Sequence, residues 1–291
     1  MDLFQYDFMQ RALVGALVIG LAAPALGIYL VQRRLALIGD GIGHVALTGV
    51  GAGLLLNRSP VLVAVIAATL GAITIELVRA RGRTSGDLAL ALLFYGGIAG
   101  GVMLVGLSDA SSANLNAYLF GSLTTTSPAD LTTIAVLGAA IGVLMLALRP
   151  ALFAVCHDEE YARVAGLPVR ALNMLLAVAT AVTVTIAMRA VGVLLISALM
   201  VVPVATAQQV TRGFRSTMTA AMALGLFAAG AGVWVAATAD TAPGASVVLL
   251  AIASFLVVSL AAAGWRLLRR RATPVATAAA TAQEPHEVVL R

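Results

Sequence analysis

Asp40 and His44 lie four residues apart in the run Leu35-Ala36-Leu37-Ile38-Gly39-Asp40-Gly41-Ile42-Gly43-His44-Val45-Ala46-Leu47. On a helix that spacing puts both side chains on one face, with Cβ atoms roughly 5–6 Å apart. A carboxylate oxygen and an imidazole nitrogen placed this way can grip one divalent cation. The surrounding residues are apolar. A carboxylate near a bilayer centre costs about 2.5–3.5 kcal/mol on insertion scales, so it is retained where it has a use. Three uses are open: a structural Asp–His hydrogen bond between packed helices, a proton relay, and a transit site for a metal. One Asp and one His make half of a four-ligand shell, and no other His and no Cys falls in an apolar segment. A two-fold dimer with this helix at its axis would gather two Asp and two His. That set suits Zn²⁺, and also Mn²⁺ or Fe²⁺. Weak ligation helps a transporter, because a conducted ion must also leave.

A second group of chemically capable residues is Cys156-His157-Asp158-Glu159-Glu160-Tyr161-Ala162-Arg163-Val164-Ala165-Gly166-Leu167-Pro168. It reads as a short polar helix stopped by Gly166 and Pro168. A helix lying outside the membrane between two spans suits docking on a soluble partner, with Asp158, Glu160, Ala162 and Gly166 as the positions of interest. His157, Asp158 and Glu159 are consecutive, so they point apart and read as a solvated face rather than a metal site. A third group, Val191 to Ala207, carries Pro203 inside an apolar run. Proline removes one backbone donor, which a membrane helix tolerates where neighbours or a cavity satisfy the freed carbonyl. Pro203 therefore marks either a kink lining a pathway or a packing kink. Asn114 to Leu123 is amphipathic and reads as an interfacial segment or part of an outer gate.

The elements that must position these residues are membrane helices. The chain has 291 residues, 61% of them hydrophobic and only 11% charged, where soluble domains carry about 25% charged residues. Mean hydropathy is +1.01. Nine apolar segments are expected, near 9–31, 35–56, 60–78, 87–107, 130–148, 171–188, 191–211, 217–238 and 245–264, each near the roughly 20 residues a span needs. The break between the sixth and seventh is the weakest, interrupted only by Arg189. The second segment puts Asp40 roughly 8 Å and His44 roughly 14 Å from its start. Arginines follow alternate spans, at Arg33 and Arg34, Arg79 to Arg83, Arg163 and Arg170, Arg212 and Arg215, and Arg266 to Arg271. The positive-inside rule then places the N-terminus outside and the C-terminus in the cytoplasm. The expected fold is all-α: a polytopic transmembrane bundle over 1–272, with 273–291 a disordered cytoplasmic tail that includes His286. Glycine pairs such as Gly138 and Gly142, and the cluster Gly96, Gly97, Gly100 and Gly101, read as close-packing faces.

Composition also excludes. The chain contains no Lys, so neither a Walker A loop nor a Schiff-base lysine is possible. It is expected to be a transport subunit without its own ATPase site, drawing energy from an ion gradient or from a nucleotide-binding partner. The single cysteine, Cys156, excludes an internal disulfide and a multi-thiolate site. The short acidic start, Met1 to Asp7, does not read as a cleaved signal. The arginines are spread as topology signals, so the pI of about 10.1 does not imply a nucleic-acid partner.

Taken together, GDGIGHVALTG at 39–49, YLFGSL at 118–123, the Glu160/Ala162/Gly166 loop and VGVLLISALMVVPVATA at 191–207 resemble the permease subunits of bacterial ABC importers for zinc, manganese and iron, the family labelled ABC-3. The resemblance covers most of the chain. It implies a multi-pass protein of the bacterial plasma membrane that assembles as a homodimer with two cytoplasmic ABC ATPase subunits and an extracytoplasmic metal-binding protein. It implies that the 158–168 loop is the coupling helix seated in the ATPase, and that Asp40 and His44 are the acidic and histidine positions of the pore helix. It implies no permanently bound cofactor and a transported Zn²⁺, or Mn²⁺ or Fe²⁺. This chain departs at Gly43, where the family commonly has Ser, at Val45, commonly Ala, and at Thr48, frequently Pro. The competing expectation is a proton-coupled secondary transporter with Asp40 and His44 as the relay. Such transporters often show two related halves, and no internal repeat is evident here.

Overall fold

The computed structural model describes residues 7–81, 86–108, 118–119, 121, 127–239 and 241–272. These form eleven helices in chain order: α1 Asp7–Gln32, α2 Ile38–Leu55, α3 Pro60–Ala80, α4 Gly86–Leu107, α5 Pro128–Ala147, α6 Arg149–His157, α7 Glu159–Val164, α8 Val169–Val191, α9 Val193–Val210, α10 Phe214–Ala239 and α11 Pro243–Ala272. No strand occurs among the described residues. The amphipathic segment 114–123 lies largely outside them, as does the 273–291 tail.

Helix starts follow local chemistry. Pro60 and Pro128 occupy the first turns of α3 and α5, where a missing N–H costs nothing. Ser127 and Asp130 close a capping box: the Ser127 hydroxyl accepts from Asp130 N at 3.1 Å, and Ser127 N donates to the Asp130 carboxylate at 3.1 Å. That box starts α5 two residues before the hydropathy pattern suggested. The uncertain sixth break falls at Gly192, whose φ of +88° ends α8 and redirects the chain into α9. Glycine adopts that angle without a Cβ clash, which is why the break is clean even though the flanking residues are apolar.

All nine apolar segments are helical. Eight are long and apolar enough to cross a membrane over their described residues, and the ninth, α9, has 18 residues, the same length as α2. α9 runs through the middle of the bundle against α1, α2, α8, α10 and α11. Leu195, Ile196, Leu199, Met200, Val204 and Ala207 are all at most 1% exposed. At the periphery, Leu62, Ile66 and Leu70 of α3 and Leu249, Leu256 and Leu260 of α11 are exposed at helical spacing, as a lipid-facing surface requires.

α2 sits between α3, α4 and α9. Along α2, Gly41 meets Leu90, His44 meets Gly97 and Leu47 meets Gly101, so α2 and α4 run parallel. Gly43 meets Val193 and Gly39 meets Ser197, so α9 runs antiparallel to α2. At one end of the bundle Arg33, Arg79, Arg163 and Arg170 line a single cavity of about 1010 Å³. Three of the arginine-bearing loops therefore share one end.

Candidate metal site and docking loop

Asp40 and His44 stand one turn apart on α2. The helix begins at Ile38, three residues later than expected from hydropathy, because Arg34 (φ +58°) and the Leu35 N to Leu30 carbonyl bond at 2.8 Å form the turn that precedes it. Asp40 consequently lies in the first helical turn, and both residues sit closer to the helix start than the sequence suggested. The helix dipole favours a carboxylate there, which offsets part of its desolvation. Asp40 is half-buried, and its carboxylate has no hydrogen bond or ion pair among the described residues. His44 is buried, and its Nδ1 has no hydrogen-bond partner. A buried imidazole nitrogen left unpaired loses the hydration it had in water without replacement. The ring stands edge-on to Phe94 of α4, centroids 4.6 Å apart at 83°.

The backbone around the pair is held tightly. A Cβ at Gly97 would sit 2.6 Å from the His44 carbonyl carbon and 2.7 Å from Val45 N, so α4 approaches His44 as closely as the absence of a side chain allows. Thr48 Oγ1 donates to the Gly97 carbonyl at 2.8 Å and fastens the same contact. The three departures from the family pattern now have physical settings. Thr48 ties α2 to α4. A Cβ at Gly43 would lie 2.6 Å from Val193 Cγ1, so this position packs against α9 without a side chain. Val45 fills the space over Gly71 of α3. No cluster of three or more His, Cys, Asp or Glu able to hold a metal occurs among the described residues.

The second site is the α6–α7–α8 connection. Asp158 caps α7, accepting from Tyr161 N at 2.9 Å. Leu167 N donates to the Ala162 carbonyl at 3.0 Å and Gly166 N to the Arg163 carbonyl at 3.1 Å, a Schellman stop that needs the +82° φ of Gly166. Ala162 is fully buried and anchors the short helix to the bundle. Its other side carries Glu160 into solvent with Tyr161 at 68% and Val164 at 88% exposure, an apolar pair on an otherwise polar helix. The consecutive trio separates as expected: His157 stacks on Phe153 (5.7 Å, 13°), Asp158 caps, and Glu159 turns inward. The reading of Glu159 as merely solvated is incomplete, because its carboxylate pairs with Arg33 at 3.3 Å and Arg163 at 3.4 Å.

Pro203 is buried within α9, which continues through it. The contacts of α9 with α2 described above lie at Val193, Ser197 and Met200, on the N-terminal side of Pro203, so the proline is not brought to Asp40 or His44. Sequence reasoning missed Ser197, whose buried hydroxyl has no partner beside Gly39. It also missed Glu76, a buried acid in α3 paired with Arg79 at 3.2 Å. The Glu-x-x-Arg spacing carried that signal. Outside the spans, burial pushes the Cys156 thiol up to about 11, against the opposing pull of Arg33 and Arg79. It is a structural thiol that donates to the Tyr29 carbonyl at 3.7 Å.

Comparison with known proteins identifies the family of the whole chain. The family model described as "ABC 3 transport family" matches residues 5–262. The chain is 30% identical over 257 residues to the manganese transport system membrane protein MntC of Halalkalibacterium halodurans, covering 87% of each chain. It is 29% identical over 244 residues to the high-affinity zinc uptake system membrane protein ZnuB of Haemophilus influenzae, covering 84% of this chain and 94% of that one. Among solved structures, PsaBC from Streptococcus pneumoniae in complex with Fab superposes with a TM-score of 0.79 at 30% identity, covering 88% of this chain and 92% of that chain. A polytopic helical bundle matched over nearly its whole length by one family model leaves a single assignment: the chain belongs to the ABC 3 transport family.

Proposed function

We propose that this chain is the membrane permease of an ATP-driven importer of a divalent transition metal, working as a homodimer in the bacterial plasma membrane. The observation that carries the reading is the orphaned Nδ1 of buried His44 one turn from the unpartnered carboxylate of Asp40. Two such helices facing each other across a two-fold axis supply two nitrogens and two oxygens, a shell suited to Zn²⁺, Mn²⁺ or Fe²⁺. The relatives named for manganese, zinc and iron transport support the class of cargo without selecting among these metals.

ATP is hydrolysed on separate cytoplasmic subunits, and an extracytoplasmic binding protein delivers the metal. The α6–α7–α8 loop seats in the ATPase through the exposed face of α7, where Tyr161 and Val164 offer apolar contact and Glu160 offers charge. Asp158 and Gly166 define the ends of that helix, and Ala162 holds it to the bundle. The N-terminus lies outside, the C-terminus inside, and Pro203 shapes the α9 wall of the pathway.

The test is uptake of radiolabelled zinc and manganese into vesicles containing the chain with a candidate ATPase from the same genome. Uptake that needs ATP and ignores a proton gradient supports the importer. Uptake that follows a proton gradient and ignores ATP overturns it in favour of a proton relay.

A further inference from the structure

The end of α1 is tied to the docking loop more firmly than a topology signal requires. Arg33 follows the last turn of α1, and its side chain is only 7% exposed. One arm of its guanidinium, Nη1, donates to Asn173 Oδ1 on α8 at 2.6 Å. The other, Nη2, donates to Glu159 Oε2 on α7 at 3.3 Å. A second tie runs nearby, where the Cys156 thiol at the end of α6 donates to the Tyr29 carbonyl in α1. On the far side of Arg33 the chain makes one tight turn, with Arg34 at φ +58°, and enters α2, whose first turn carries Asp40. Arg79 and the buried Glu76 of α3 line the same cavity.

This arrangement is poorly explained as membrane orientation alone, because a topology arginine works from the water and needs no buried partners. A planar fork that reaches two acceptors on two different helices fixes their relative position. Lys cannot do the same from one ammonium. Displacing α7 relative to α8 must therefore either break the charge-assisted Arg33–Glu159 contact, leaving the buried guanidinium without its counter-charge, or move the α1–α2 turn with it.

We infer that Arg33 is a positioning residue that carries movement of the α7 docking helix into the α1–α2 turn and so to Asp40. The inference rests on the reading of α7 as the ATPase contact and of Asp40 as part of the metal path. It adds the residue through which the two communicate.

The experiment compares the assembled transporter, permease with ATPase subunits in proteoliposomes, carrying Arg33→Gln, Arg33→Lys, Asn173→Ala or the exchange Arg33→Glu with Glu159→Arg. Assembly yield, melting temperature, ATP hydrolysis and metal uptake are read together. The expected result is a fall in metal ions moved per ATP of about tenfold or more in Arg33→Gln, with assembly intact and ATP hydrolysis still running. Arg33→Lys and Asn173→Ala fall between. In the exchange, the carboxylate introduced at position 33 can accept from the Asn173 amide and from the guanidinium introduced at position 159, so the ratio recovers to within about threefold of the parent. A merely structural Arg33 would lower yield and melting temperature and leave the metal-to-ATP ratio of the surviving complex unchanged. That result, or loss of the assembled complex in every Arg33 variant, overturns the proposal. Parent vesicles that couple normally alongside an equally coupled Arg33→Gln overturn it alone. Parent vesicles with no ATP-dependent uptake overturn the importer reading, and this inference with it.

Discussion

Replacing Gly97 with Ala tests whether close approach of α4 holds the His44 backbone in place. The added Cβ would meet the His44 carbonyl carbon at 2.6 Å, Val45 N at 2.7 Å and His44 Cβ at 3.0 Å, where ordinary contact begins at 3.4 Å. Two of the three obstructing atoms are backbone, so no rotamer change relieves them. The helices must part by about 0.8 Å, which strains the Thr48 to Gly97 bond and opens a gap along the rest of the interface. Overpacking of this kind costs about 1–3 kcal/mol. Gly96, one residue away on the same helix, provides the control, because nothing lies within 4 Å of its Cβ position. Both substitutions gain the same helix propensity, up to about 1 kcal/mol, so the difference between them isolates the contact. At roughly 2–4 °C per kcal/mol for a large chain, Gly97→Ala should melt about 2–12 °C below Gly96→Ala in detergent. Equal melting, or a more stable Gly97→Ala, would show that α2 and α4 are not packed as described and would remove the support for His44.

Four further outcomes follow from the same contacts. Gly166→Ala puts a Cβ on a residue at φ +82° and should cost roughly 1–2 kcal/mol locally, loosening α7 and weakening ATPase capture in a pull-down while leaving the bundle's melting almost unchanged. Val164→Asp, at a position 88% exposed, should leave folding intact and reduce ATPase capture, and unimpaired capture would rule out this face as the contact. The chain's single thiol, Cys156, has its pKa pushed up to about 11, so less of it is thiolate at neutral pH. Alkylation at pH 8 should run roughly 100- to 250-fold slower than for a free thiol and rise about tenfold per pH unit, and rapid labelling near neutrality would refute the burial. Tyr29→Phe removes the hydroxyl that donates to the Met145 carbonyl at 2.9 Å in a buried site, and should lower stability by about 1–3 kcal/mol in a melt.

The parts of this molecule governed by hydropathy were legible in the chain itself. Apolar length gave nine segments, and all nine are helices, because span length is set by the solvent rather than by tertiary detail. Asp40 and His44 were legible because ionisable residues are rare in such segments. Their depth was not, since the start of α2 is decided by a turn at Arg34 that hydropathy cannot register. The interior position of α9 was hidden for a similar reason: a buried helix and a lipid-facing one are equally apolar, and only packing separates them. The roles of Arg33, Glu159 and Asn173 depend on contacts between residues more than a hundred positions apart, which no local pattern encodes. Gly43 and Thr48 looked like departures from a motif and turned out to mark where α2 meets α9 and α4.

The site is tested most directly by ATP-dependent metal uptake in reconstituted complexes carrying Asp40→Asn or His44→Gln, alongside metal bound per permease chain. Both substitutions keep size and polarity while removing a ligand atom or its charge. Each variant is expected to assemble with the ATPase subunits, lose uptake by at least about tenfold and bind less metal per permease chain. Full uptake and unchanged metal binding in both variants would contradict this site.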